Sequence, residues 1–365
     1  MRVLIVHDEP VDGGYGAEAY IRRLVEGLRD AGDTVELLAG ERQHHGITKA
    51  LDLWDPVARD LVEERAKSFR PDVVHFHNIA RELSASVLSA ARHVPAVMTF
   101  HDLRLFGATE HSWLSARGRV ERAGARRIRS AARSRLAVAV GVTDRVCDAL
   151  RADGFAQVST VRVPAADPVG VLVPAQQCRD VVVAGRLAAD KGIDIAIDAF
   201  DAASDGIEAT RLLIAGDGPQ RDALERRARR LGSRVSFLGW LNEDELSGLL
   251  GRSRVVIVAS QTRRRPEGSS LSAVEAAMHG RPVIASSDPA VSEVVTGLEG
   301  GLVVPGDTAN IDGFTDALRQ LLTDDALAGE LATSGRSNAV RLHSIPAVAA
   351  ATRAVYQAAV DGRSS

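Results

Sequence analysis

The sequence predicts an α/β protein made of two doubly wound, parallel-sheet domains. Short apolar runs alternate with longer amphipathic stretches along the chain, as expected for a parallel sheet covered on both faces. The rhythm runs twice, and it breaks near 164–178, where Pro164, Pro168, Gly170 and Pro174 cluster without periodicity. The length, 365 residues, suits two domains at roughly 100–200 residues each.

In the first half, Val3–Val6 reads as a strand and Glu18–Ala31 as a helix, with Ala19, Leu24, Val25 and Leu28 near helical spacing and Gly32 as its stop. Strand Val35–Leu38, helix Val57–Phe69 and strands Val73–His77, Ala96–His101, Leu136–Val142 and Val158–Val163 follow. The second half has strands Val181–Ala184, Arg211–Ala215, Val235–Phe237, Val255–Ala259, Val283–Ala285 and Gly301–Val304. Between them lie helices Ile193–Ala203, Gln220–Leu231, Glu243–Gly251, Ser272–Gly280 and Asn310–Thr323. The expected domains are 1–166 and 167–346, and a last helix at 347–360 has no strand after it.

Bulk composition narrows the function. The chain is 45% hydrophobic and 25% charged, as in ordinary soluble domains. A formal net charge of −3 argues against a nucleic-acid-binding surface over the whole molecule. Cys147 and Cys178 stand far apart with no metal-ligand spacing, which fits small core residues in a reducing compartment. The apolar start Val3–Val6 is too short for a signal peptide, and no run reaches the ~18 apolar residues of a membrane span. A cytoplasmic location is the expectation.

Ligands of open parallel sheets bind at the carboxyl ends of strands, so the residues just after each strand carry the chemistry. After the first strand come Gly13, Gly14 and Gly16 before a helix, where backbone N–H groups and the helix dipole suit an anion. Gly14, Gly16 and Ala19 also match a dinucleotide fingerprint, but they follow the strand end at a distance. His101-Asp102 stands at another strand end; a structural histidine is the alternative there.

The second half is richer. Gly185 allows close backbone approach, and Arg186 and Lys191 set two cations beside a helix start, suited to a diphosphate. Solvated surface charges are the competing reading. Glu267, Gly268, Ser269, Ser270 and Leu271 form a polar loop leading into a helix with Glu275. Ser270 or Ser272 is the candidate N-cap. Two glutamates around such a loop can accept hydrogen bonds from the hydroxyls of one ligand, a sugar on one side and a ribose on the other. Arginines crowd 117–135, and Arg263-Arg264-Arg265 precede the loop; a solvated helix and a basic surface loop are the preferred readings. No Asp-x-Asp triplet follows a strand, so no metal is expected, and no Walker loop or Gly-x-Ser-x-Gly elbow appears.

Together these segments resemble glycosyltransferase family 4, retaining enzymes of the GT-B fold, over nearly the whole chain. The matching segments are Gly13-Gly14, Pro71–His77, Thr99–Asp102, Val183–Leu187 with Asp190-Lys191-Gly192, Leu213–Pro219, Phe237–Trp240, and Glu267 through Glu275 to Ala285. The two glutamates followed by Gly280-x-Pro282-Val283-Ile284 are the most specific. The resemblance implies two Rossmann-like domains facing a central cleft, with the last helix crossing back onto the first domain. It implies that Arg186 and Lys191 hold the donor diphosphate and that Glu275 accepts from the ribose. Glu267 and the backbone of Gly268–Leu271 would hold the transferred sugar, and His101 would lie near the anomeric carbon. Gly13 and Gly14 would serve phosphate or acceptor, and Leu241 would border the base. Two departures stand out: Val163–Asp167 lacks the family's Asn-Gly-x-Asp turn, and Ser269-Ser270 replaces Phe-Gly.

The expected function is therefore retaining transfer of a hexose-type sugar from a UDP- or GDP-sugar to a glycan, lipid-linked or small-molecule acceptor. No cofactor or metal is expected, nucleic acid is excluded as a partner, and peripheral membrane contact is not favoured. The alternatives are a nucleotide-sugar epimerase or phosphorylase of the same fold, an NAD-dependent oxidoreductase, and a silent nucleotide-sugar-binding protein.

Overall fold

The computed structural model describes residues 1–8, 10–11, 16–40, 54–79, 83–106, 116–207, 209–261, 268–306 and 309–364, without the side chains of 116–121 and 363–364. Gly13, Gly14, Arg263–Arg265 and Glu267 lie outside the described residues, as do the side chains of Arg117 and Arg119. The chain divides into two units: Met1–Pro164 with Pro266–Ser269 and Ile345–Ser365, and Ala165–Arg265 with Ser270–Ser344.

The first unit contains β1 (Arg2–His7), α1 (Ala17–Asp30), β2 (Thr34–Ala39), α2 (Pro56–Phe69), β3 (Val73–His77), β4 (Ala96–Phe100), α3 (Ala116–Arg135), β5 (Val138–Gly141), α4 (Asp144–Ala152) and β6 (Val158–Thr160). Its sheet has six parallel strands in the order β2-β1-β3-β4-β5-β6. The order reverses between β1 and β3, which makes their carboxyl ends the switch point where ligands bind open sheets. Val3, Leu4, Ile5, Val6, Val74 and Phe76 are wholly buried, because strands covered on both faces are apolar throughout. α1 buries Ala19, Tyr20, Ile21, Leu24, Val25 and Leu28, each large aliphatic contributing about 1.5–3 kcal/mol. Asp55 caps α2 by accepting from the N–H groups of Val57 and Ala58, with Pro56 in the first turn, where it loses no hydrogen bond.

The second unit contains β7 (Val181–Ala184), α5 (Ile193–Ala203), β8 (Leu212–Ala215), α6 (Arg221–Ala228), β9 (Val235–Gly239), α7 (Glu243–Leu250), β10 (Val255–Val258), α8 (Leu271–Met278), β11 (Val283–Ala285), α9 (Pro289–Leu298), β12 (Gly301–Val303), α10 (Ile311–Thr323) and α11 (Asp325–His343). The parallel order is β12-β11-β10-β7-β8-β9, so the switch point lies between β7 and β10. A core of Val181, Ile195, Phe200, Ile214, Ile257 and Phe314 joins sheet and helices.

Several elements differ from the sequence reading. The expected helix 220–231 gives way to a 3₁₀ stretch at Arg229–Arg234, which contains Gly232 at φ 56°. The 165–178 stretch, read as linker, packs within the second unit. Val173 N–H donates to the Gly251 carbonyl at 3.0 Å, and the Arg281 guanidinium donates to the Val173 carbonyl at 2.6 Å. Helices α4, α9 and α11 were not anticipated. The last helix, α12 (Ile345–Ser364), belongs to the first unit and lies against α1, where Gly27 leaves room for Ile345 and Ala349.

Candidate functional site

In the second unit the residues singled out from sequence gather around the switch point. β7 and β10 pair directly, Val181 with Val255 and Val182 with Val256. The loop after β7 carries Gly185, Arg186 and Lys191, and the chain after β10 leads to α8. Asp190 ties the two, its carbonyl accepting from the Gln261 N–H at 2.8 Å. Gly192, at φ 60°, begins α5 and lies so close to Ala259 that a Cβ there would sit 2.1 Å from the Ala259 carbonyl oxygen. Only glycine fits, and that contact draws Lys191 toward the end of β10.

Arg186 is exposed, and its guanidinium lies 3.4 Å from both carboxylate oxygens of Asp190. This long, solvated pair orients Arg186 and leaves the cation available to a more strongly charged ligand. Lys191 is half-buried in the 3₁₀ turn Ala189–Lys191. No side chain caps α5, whose first turn follows directly on the loop that carries the two cations.

α8 starts at Ser270, whose hydroxyl accepts from the Ala273 N–H at 3.4 Å. Ser272, the other candidate cap, instead donates to the Ala184 carbonyl at 3.0 Å and fixes the start of α8 to the end of β7. Leu271 is half-buried, and Glu275, one turn further on, is buried rather than an exposed helix glutamate. His279 bonds back through Nδ1–H to the Glu275 carbonyl at 2.7 Å, and its Nε2 meets the Ser247 hydroxyl at 2.7 Å. Leu241 is half-buried after β9, beside an exposed Trp240. The structure thus brings Gly185, Arg186, Lys191, Ser270, Leu271 and Glu275 to neighbouring strand ends, with Leu241 further along the same edge.

Gly268 and Ser269 group with the first unit. The Thr143 hydroxyl donates to the Gly268 carbonyl at 2.9 Å, and Gly268 packs on the backbone of His101. The Ser269 hydroxyl is buried and finds no hydrogen-bond partner among the described residues.

His101 follows β4 in the first unit and belongs to a polar cluster that sequence reading did not assemble. In register, His7 lies opposite His77, and His77 opposite Thr99. His101 Nε2 meets His77 Nδ1 at 2.9 Å. His75 bonds through Nε2 to Thr99 and through Nδ1 to Tyr356 of α12, at 2.8 and 2.7 Å. The His75 and His77 rings lie 4.0 Å apart, and Tyr20 of α1 meets His101 edge-on at 4.8 Å. Burial disfavours the charged imidazole and pushes His75 and His101 down to about 3 and His77 well below its ordinary value, with the neighbouring histidines adding to the effect for His77 and His101. His75, His77 and His101 are therefore neutral at physiological pH. Period-two spacing in Val73-Val74-His75-Phe76-His77 was the available signal, since it sets both rings on one face.

Other features stand apart. A cavity of about 590 Å³ bordered by Arg179, Arg211 and Arg234 lies before β7, β8 and β9, at the opposite end of the sheet from these loops, and Arg211 is already paired with Asp180. On α3, Arg126, Arg127, Arg133 and Arg135 are exposed, while Arg129 and Arg133 pair with Asp153. Among the described residues no group of His, Cys, Asp or Glu could hold a metal ion, and no helix is long and apolar enough to cross a membrane.

Residues 14–164 match the model of Glycosyltransferase Family 4, and 178–324 that of Glycosyl transferases group 1. A glycogen synthase of Mycobacterium tuberculosis is 32% identical over 304 residues, 81% of this chain and 71% of that protein. Among solved structures, sucrose-phosphate synthase from Thermosynechococcus elongatus superposes with a TM-score of 0.73 at 19% identity over 98% of both chains. Anabaena HepE, solved with UDP and glucose, gives 0.69 at 18% identity over 98% of this chain and 99% of that one.

Proposed function

The chain belongs to glycosyltransferase family 4, and from that premise we propose that it transfers a hexose-type sugar, with retention, from a UDP- or GDP-sugar to a hydroxyl acceptor. The observation that carries this reading is the meeting, at the β7–β10 switch point, of two cations, two helix starts and a buried glutamate. Breaking the bond between an anomeric carbon and a diphosphate loads negative charge onto the leaving group. Arg186, Lys191 and the start of α5 offer that charge fixed positive partners, which do not need to reorganise during the reaction. In this reading they act without a divalent ion. Glu275 holds the ribose, and Leu241 borders the base. Glu267 and the Gly268–Leu271 backbone hold the sugar, and His101 acts near its anomeric carbon. The solved relative carrying UDP and glucose supports a nucleotide-linked hexose as donor.

The test is nucleotide release and product formation with a panel of UDP- and GDP-sugars, each with glycan, glycolipid and small-molecule acceptors. Transfer with one donor, lost in Arg186→Ala and Glu275→Ala, supports the reading, and the product's anomeric configuration by NMR decides retention. A folded protein that transfers from no donor in the panel contradicts it.

A further inference from the structure

The His77–His101 contact contains a single bridging proton, because two neutral rings meet through one nitrogen each. Which ring supplies the proton follows from the far side of His77. Among the described residues its Nε2 is buried without a hydrogen-bond partner. A proton there would be an orphaned buried N–H, the rarer kind of unpaired group, whereas a bare ring nitrogen leaves only a lone pair unmet. The proton of His77 therefore sits on Nδ1 and is donated to His101 Nε2 at 2.9 Å. With Nε2 accepting, neutral His101 must carry its own proton on Nδ1. His101 keeps part of its surface exposed although burial lowers its proton affinity, and among the described residues its ring hydrogen-bonds to His77 through Nε2.

We propose that His77 is a positioning residue that locks His101 as the Nδ1–H tautomer and turns its accessible edge into a hydrogen-bond donor aimed at an oxygen of the substrate. This rests on the reading above that His101 meets the transferred sugar; the tautomer itself does not. The lock is built from the fold: the strand register brings His77 beside Thr99, two residues before His101. His75 stacks against His77 at 4.0 Å and is pinned by Thr99 and Tyr356. The His77 carbonyl is held by the Nδ1–H of His7 at 2.9 Å. The low proton affinities of His77 and His101 keep the bridge singly protonated across the working pH range.

Long-range ¹H–¹⁵N correlation spectra of the ¹⁵N-histidine-labelled full chain test the tautomer, with the His101 signals assigned by their loss in His101→Gln. The expected wild-type result is a pyrrole-type Nδ1 and a pyridine-type Nε2 at His101. His77→Leu should shift His101 toward the Nε2–H form and lower kcat about tenfold or more. KM for the donor and affinity for the bare nucleotide diphosphate should change less than about twofold, and His77→Asn, which keeps an N–H, should recover most of kcat. A wild-type His101 protonated on Nε2 overturns the proposal, and so does a His77→Leu protein whose tautomer shifts while kcat holds. If His77→Leu does not fold, the wild-type spectrum and His77→Asn decide the matter. Wild-type protein without transfer activity would strike the functional reading alone, since the spectrum needs no turnover.

Discussion

Gly192 is the residue at which backbone geometry and ligand chemistry meet most closely. A methyl group there faces two penalties. The first is conformational: at φ 60° a residue with a Cβ costs about 1–2 kcal/mol. The second is steric, because the added carbon would lie 2.1 Å from the Ala259 carbonyl oxygen and 3.0 Å from its carbon. That oxygen belongs to backbone at the end of β10 and cannot swing aside as a flexible side chain would. Relief requires moving the start of α5 away from β10, at a further ~1–3 kcal/mol by analogy with overpacked cores. The sum, about 2–5 kcal/mol, corresponds to a fall of roughly 4–20 °C in melting temperature for a domain of this size. The same displacement carries Lys191 away from the switch point, so affinity for UDP or GDP should fall with stability. Gly206→Ala is the control: that glycine has φ 76° but open space around a Cβ, so it isolates the conformational penalty. Scanning calorimetry and titration calorimetry on both variants make the comparison. If Gly192→Ala melts and binds like Gly206→Ala, the close approach does not build the site and the reasoning fails.

Three further outcomes are expected. Glu275→Ala should weaken the bare nucleotide diphosphate by roughly ten- to a hundredfold, the effect of losing a charge-assisted hydrogen bond. Glu267→Gln should leave nucleotide affinity nearly unchanged while transfer falls steeply, because the product nucleotide lacks the sugar; equal losses of nucleotide affinity would reverse these assignments. Stability should fall with acid before the carboxylates titrate. His75 and His77 are buried neutral, so the unfolded chain binds more protons below the ordinary histidine value of about 6.5, and the loss amounts to at most about 2.7 kcal/mol per pH unit for the pair. A melting temperature that stays level from pH 7 to pH 5 would contradict a neutral cluster. Transfer activity should persist in excess EDTA; complete loss, restored by magnesium or manganese, would show that Arg186 and Lys191 do not suffice for the diphosphate.

Much of the fold was legible because parallel strands buried on both faces are short unbroken apolar runs. Val73–His77, Val181–Ala184 and Val283–Ala285 have the bounds read from sequence. The overlooked helices show where that signal fails. α11 buries only Ala328, Gly335, Ala339 and His343, so it has no row of large apolar residues; Gly335 instead lets the helix approach Gly300 closely. α9 carries a readable start, Asp288 capping with Pro289 behind it, but its valines also suit a strand. In the candidate site, Arg186, Lys191 and Glu275 could be named because each follows a strand or a helix start. His7, His77 and Tyr356 could not, since they meet through strand order and through a helix more than 270 residues away in sequence from His75, whose bond to Tyr356 spans 281 residues. Periodicity sets the face of a side chain but not which strand lies beside it.

In the proposed reaction the second unit holds a nucleotide diphosphate through Arg186 and Lys191. Thermal denaturation of the wild-type chain and of an Arg186→Ala/Lys191→Ala variant, each with UDP, GDP and NAD, tests it most directly. At about 100 times the dissociation constant, a bound ligand stabilises by roughly 2.7 kcal/mol. UDP or GDP should raise the wild-type melting temperature, the double variant should lose most of that shift, and NAD should leave both unmoved. A clear shift with NAD and none with either nucleotide diphosphate would contradict the assignment.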